Sequence, residues 1–133
     1  MPATARVSCV GIIALLRASK PSGAIVEAVG CRPTDGRNRV LTMGKGVGAI
    51  VDALEVCDVP VVAEPVPSKW KADMGLSSDK EASRAMALAL FPAHAAMFKR
   101  KKDHDRAEAC LLGVWHVRML AGAFVVAKRK RSV

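Results

Sequence analysis

Glu27 is the first acid of a 133-residue sequence and lies inside an apolar run, Ala24 to Val29 (AIVEAV). A carboxylate in such a run is costly to bury unless a cation pairs with it or a metal binds it. A second group of acids, Asp103, Asp105 and Glu108, follows four successive cations, Lys99 to Lys102. Asp105 and Glu108 stand three residues apart and share one helix face, whereas Asp103 is five residues from Glu108 and leaves that face. At a helix start, Asp103 and Asp105 can also cap the helix and answer its dipole. Both roles stay open at this point.

The cations point to a polyanion. Residues 1–66 hold seven Lys and Arg against six Asp and Glu; residues 67–133 hold fourteen against six. Phosphate neutralisation with counterion release is the natural use of so lopsided a charge, with acidic protein surfaces as the alternative. Lys69, Lys71, Lys80, Arg84, Lys99, Arg100, Lys101, Lys102, Lys128, Arg129, Lys130 and Arg131 are the candidate nucleic-acid contacts. Trp70 is read as a packing anchor and not as a base-stacking platform. His104 is read as a surface residue at a helix start.

Other chemistries are disfavoured. Cys9, Cys31, Cys57 and Cys110 are scattered without a CxxC pair, so they read as small buried apolar residues and not as zinc ligands. Gly44-Lys45-Gly46 is not a phosphate-binding loop, because the GxxxxGK[ST] spacing is missing. No apolar run is long and charge-free enough to span a bilayer, so no membrane partner is expected. The acid-free, basic first 26 residues are the pattern of an organellar address. The mitochondrion is the first expectation and the chloroplast the alternative.

The elements that must carry these groups follow from periodicity. The chain is 51% apolar and only 4% aromatic, with no Tyr. Its core is therefore built from Ala, Val, Leu, Ile and Met, with helices packed closely or lying on a sheet. Helical spacing predicts a first helix over Val7 to Ser19, ended by Pro21. A strand over Ala24–Val29 and a polar loop to Arg39 follow. Thr42 is the expected N-cap of a helix over Met43 to Cys57. Val59 to Ala63 is a second strand, and strand–helix–strand order implies a parallel right-handed crossover. Ser78 with Glu81 forms a capping box for a helix running to Phe91 and stopped by Pro92. A last helix is expected from Asp103 or His104 to Ala121, with a basic tail over 122–133. The whole is read as a single domain, 1–133.

Three blocks in the second half carry a resemblance: V-P-S-K-W-K from Val66, S-x-K-E-A-S-R-A-M-A-L-A-L-F-P from Ser78, and K-R-K-K-D-H-D-R-A-E-A-C-L-L from Lys99. In order and spacing they resemble RuvC-type Holliday-junction resolvases, close to the plant chloroplast and phage-like branch. The resemblance implies an α/β RNase H-like fold. It also implies a two-Mg²⁺ nuclease site, in which carboxylates let metal ions activate water and stabilise the leaving oxygen. On that pattern Glu27, Asp103 and Glu108 are the catalytic, metal-binding acids, with Asp105 as the alternative. The family's first strand carries a G-I-D-P-x-x-x-G motif whose Asp bridges both metals, and this sequence has no counterpart to it.

The resulting expectation is an N-terminally incomplete, truncated RuvC-like domain of two parallel strands and about four helices. Its open sheet edge beside Ala24–Val29 would be completed by a protein partner. Two functions are compatible with it. One is a resolvase-derived, nucleic-acid-associated subunit, RNA-binding and not catalytic alone, in a larger nucleoprotein complex such as an organellar ribosome or its assembly machinery. The other is a Mg²⁺-dependent structure-selective endonuclease acting on branched DNA.

Overall fold

The computed structural model describes residues 7–28 and 30–124, so the basic tail Lys128–Arg131 and Val29 lie outside the described residues. The chain divides into two compact units, Met1–Glu64 and Pro65–Val133.

In the first unit, α1 (Cys9–Ser19) packs on α2 (Arg37–Val56), and β1 (Ala24–Ile25) pairs with β2 (Val61–Ala63) in parallel. Ser8 caps α1 by accepting from the Gly11 amide at 3.1 Å. Its C-terminal Lys20 turns left-handed (φ 47°) just before Pro21, which halts the helix. The strands are shorter than their apolar runs. The Ala24 amide donates to Pro60 O at 2.9 Å and the Val26 amide to Ala63 O at 3.1 Å, with an irregular register between Ala24 and Ile25. Gly23 makes the close approach possible: a Cβ there would lie 2.9 Å from Val62 Cγ1.

Helix α2 starts at Arg37, well before the expected Thr42 cap. Thr42 is inside the helix and its hydroxyl donates back to Asn38 O at 2.8 Å. The helix tolerates Gly44, Gly46 and Gly48, and Gly46 leaves room for Val7 of the segment before α1. Ala53, Leu54 and Val59 are the buried apolar residues described in this unit. The cysteines are not core residues: Cys31 is exposed and the other three are half-buried.

The second unit holds α3 (Pro67–Asp73), α4 (Lys80–Leu90), 3₁₀ turns over Pro92–Met97 and Lys101–Asp103, and α5 (His104–Leu120). Helix α3 was not anticipated from periodicity; Pro67 starts it and Gly75 (φ 68°) terminates it. The cap of α4 is Asp79, accepting from the Glu81 amide at 3.0 Å, and not Ser78. Helices α4 and α5 approach closely because Ser83, Ala87 and Ala107 are small and fully buried between them. Trp70, Met74, Phe98, Leu111, Leu112 and Trp115 complete the core. Gly122 (φ 74°) closes α5, with the Ala123 amide donating to Arg118 O at 3.0 Å. Among the described residues there are thus two parallel strands and five α-helices, one more helix than expected. No helix among them is long and apolar enough to cross a membrane.

Candidate nucleic-acid interface

The second unit presents a cleft of about 710 Å³ where the start of α4 meets the Lys101–Asp103 turn. Lys80, Lys101, Lys102 and His104 line it with Ser78, Asp79 and Glu81. The three lysines are exposed and make no salt bridge among the described residues. Lys99 is exposed on the same segment. A phosphate entering the cleft would meet these ammonium groups, with the Asp79 and Glu81 carboxylates beside them.

The remaining candidate cations among the described residues, Lys69, Lys71, Arg84 and Arg100, are already engaged. Arg84 donates from Nη2 to Glu81 at 2.6 Å, and from Nη1 to Phe98 O at 3.3 Å and Lys99 O at 2.7 Å. It therefore ties α4 to the segment that carries Lys99. Each partner of the Glu81–Arg84 pair is held in its charged form by the other, Glu81 below and Arg84 above its ordinary range. Lys69 bridges to Asp73 at 2.9 Å. Trp115 Nε1 also donates to Asp73 at 2.8 Å, and this bond, then Lys69, holds the Asp73 carboxyl below its usual range. Lys71 pairs with Glu108 at 2.9 Å, and Arg100 with Asp103. Trp70 is fully buried under Lys71, whose ammonium lies 5.6 Å from the ring centroid, so it packs as expected.

The acids of the second unit occupy three different settings. Glu108, on α5, accepts from Lys71 Nζ and from the Ser83 hydroxyl at 3.3 Å. Asp103 is buried and takes the Arg100 backbone N–H on Oδ2 and the Arg100 Nη2 on Oδ1, each at 2.9 Å. These bonds keep its carboxyl below the usual range. Asp105 points to solvent with 88% of its side chain exposed, 3.0 Å from His104 Nε2. Among the described residues no three His, Cys, Asp or Glu side chains are gathered to hold a metal ion. With Asp103 and Glu108 each neutralised by a cationic side chain, these two acids do not fit a shared divalent cation in this arrangement.

Glu27 belongs to the first unit, two residues past the end of β1 and not on the strand as expected, because pairing with β2 is lost beyond Val26. It lines a cavity of about 400 Å³ together with Val26, Met43, Val47, Val51 and Glu64. Glu64 is a second carboxylate that sequence reasoning passed over. Its one signal was an acid directly after the second strand. Sequence reasoning also missed Ser83 as a partner of Glu108, since a serine in an Ala-rich helix announces nothing.

No family model matches the sequence. Over 92 residues, 68% of the chain, it is 36% identical to the chloroplastic Holliday junction resolvase MOC1 of Chlamydomonas reinhardtii. Over that stretch the chain is similar to RuvC-type resolvases. Its fold agrees: Thermus thermophilus RuvC in complex with a Holliday junction substrate superposes with a TM-score of 0.64 at 19% identity. A second Thermus thermophilus RuvC structure gives 0.57 at 21%. Each superposition covers 84% of this chain, and 65% and 66% of the two solved chains. The chain spans about a tenth of the length of the Chlamydomonas protein. The fold is thus the RuvC-like, RNase H-like α/β fold expected from the three sequence blocks.

Proposed function

We propose that this chain binds branched DNA through the Lys80–Lys101–Lys102 cleft, as the nucleic-acid-binding part of a Mg²⁺-dependent Holliday-junction resolvase. The observation that carries the reading is the cleft itself: exposed lysines with no salt bridge among the described residues, two of them, Lys101 and Lys102, on a segment that Arg84 and Asp103 fix in place. Preorganised cations lose less freedom on binding than cations on a loose loop. Kinship to a chloroplastic resolvase and to a RuvC seen on a Holliday junction supports DNA over RNA. It supports an organelle, the chloroplast before the mitochondrion. Nothing in these comparisons favours a ribosomal subunit.

Glu27 is the acid proposed for Mg²⁺ binding and phosphodiester cleavage. When bound, Mg²⁺ would supply charge neutralisation at the phosphate and an activated water. The two-stranded sheet leaves the outer edge of β1 for a further strand, and a protein segment there remains part of this proposal.

Fluorescence anisotropy with a labelled four-way junction and a matched duplex, in EDTA, tests the binding reading. The junction is expected to bind more tightly, with affinity falling steeply between about 50 and 200 mM salt. Equal binding to both, or binding indifferent to salt, refutes it. For the catalytic part, Glu27→Gln is expected to abolish any Mg²⁺-dependent junction cleavage while leaving binding intact.

A further inference from the structure

We infer that Asp103 is a positioning residue of the phosphate-binding cleft and not a metal ligand. The inference rests on the nucleic-acid reading above and assigns this acid a different task from the one its place in the K-K-D-H block implies.

Both carboxylate oxygens of Asp103 are spent on one residue. Oδ2 takes the Arg100 amide at 2.9 Å, Oδ1 takes Arg100 Nη2 at 2.9 Å, and Arg100 Nε reaches both at 3.2 and 3.3 Å. The Asp103 amide returns a bond to Arg100 O at 2.9 Å. The result is a closed turn, sealed at both ends by the same two residues, with 3% of the acid's side chain exposed. A metal ion could reach these oxygens only by displacing Arg100 and opening the turn.

What the turn displays is the second half of the argument. Lys101 and Lys102 lie between the two sealing residues, are exposed, and line the cleft. Four consecutive cations repel one another and would spread as a free loop. The buried Asp103 places one negative charge inside that run, and its backbone bond to Arg100 fixes the direction in which the two lysines leave. Arg84 holds the preceding carbonyls, Phe98 O and Lys99 O, from α4. The segment is therefore pinned on both sides of the lysines, by an arginine at its start and an aspartate at its end.

The test uses the full chain and a labelled four-way junction in EDTA, where no metal contributes. Asp103→Ala is expected to weaken binding about fivefold to tenfold, and to reduce the salt slope by about 1–2, the loss of one or two phosphate contacts. Asp103→Asn keeps one acceptor for the Arg100 amide and is expected to fall between Ala and the parent. Helical circular dichroism confirms that α5 persists in each variant. A fall in melting temperature with an unchanged salt slope assigns Asp103 to stability alone and overturns the inference. Mn²⁺ binding, followed by electron paramagnetic resonance with the junction present, is expected to be the same in Asp103→Asn and the parent. A tenfold or larger loss of Mn²⁺ affinity with unchanged binding in EDTA also overturns it. Lys101→Ala/Lys102→Ala separates the two readings. If this pair weakens binding and the Asp103 variants do not, the positioning role fails and the cleft stands; if the pair has no effect, both fail.

Discussion

Replacing Lys71 by methionine and Glu108 by glutamine, singly and together, measures whether the α5 acid is held by a cation of its own chain. The ammonium and carboxylate stand 2.9 Å apart, with 18% of each side chain exposed. At an effective dielectric of about 20, Coulomb attraction at that distance is roughly 6 kcal/mol before desolvation. Desolvation takes back several kcal/mol per ion in a dry pair, and less here because part of each group stays wet. A net coupling of about 1–2 kcal/mol follows, above an exposed pair and below a fully buried one. Lys71→Met alone leaves Glu108 with the Ser83 hydroxyl as its one named partner, so a loss of about 2 kcal/mol is expected, larger than the coupling itself. Glu108→Gln is expected to cost a similar amount, and the double variant less than the two together. Urea unfolding in EDTA followed by tryptophan fluorescence suits the question, because both tryptophans, Trp70 and Trp115, lie in the second unit. A coupling energy within about 0.3 kcal/mol of zero refutes the reasoning, since that is the scatter of independent sites. Glu108 would then stand available to an external cation.

Trp115→Phe keeps the ring in the core but removes the donor to Asp73, so a loss of about 1–2 kcal/mol is expected at neutral pH beyond the change in packing. Asp73 titrates below its unfolded value, so its contribution is present above the ordinary carboxylate range and is lost as pH falls through the folded pKa. The penalty should therefore shrink in acid; a penalty constant with pH in urea titrations contradicts the bond. Leu111→Ala empties a fully buried site and should cost about 2–5 kcal/mol, read from the same fluorescence transition. Gly23→Ala drives a methyl into Val62 Cγ1 and should destabilise the β1–β2 pairing by about 1–3 kcal/mol. Faster hydrogen exchange at the Val26 amide, bonded to Ala63 O, is the readout, and unchanged protection there defeats the prediction.

The helices α4 and α5 were legible because their apolar periods are long and their stops are explicit, Pro92 after one and Gly122 after the other. The start of α2 was not, since Gly36 has no side chain to cap with and Thr42, a residue type that often caps, lies inside the helix. Helix α3 is seven residues, too short for periodicity to register. The strands were placed correctly but overextended, because an apolar run records burial while pairing depends on the partner's register.

The same division governs the acids. Sequence alone determined that the second half is basic, that Asp103, Asp105 and Glu108 stand together in the chain, and that three ordered blocks mark a RuvC-type fold. Residue type and spacing suffice for those statements. Only the tertiary structure decided which cation meets which carboxylate. Arg100 closes on Asp103, Lys71 arrives from α3 to meet Glu108, and Asp105 is left in water. A carboxylate's role depends on what lies within about 4 Å of it, and for Glu108 that neighbour comes from a distant part of the chain.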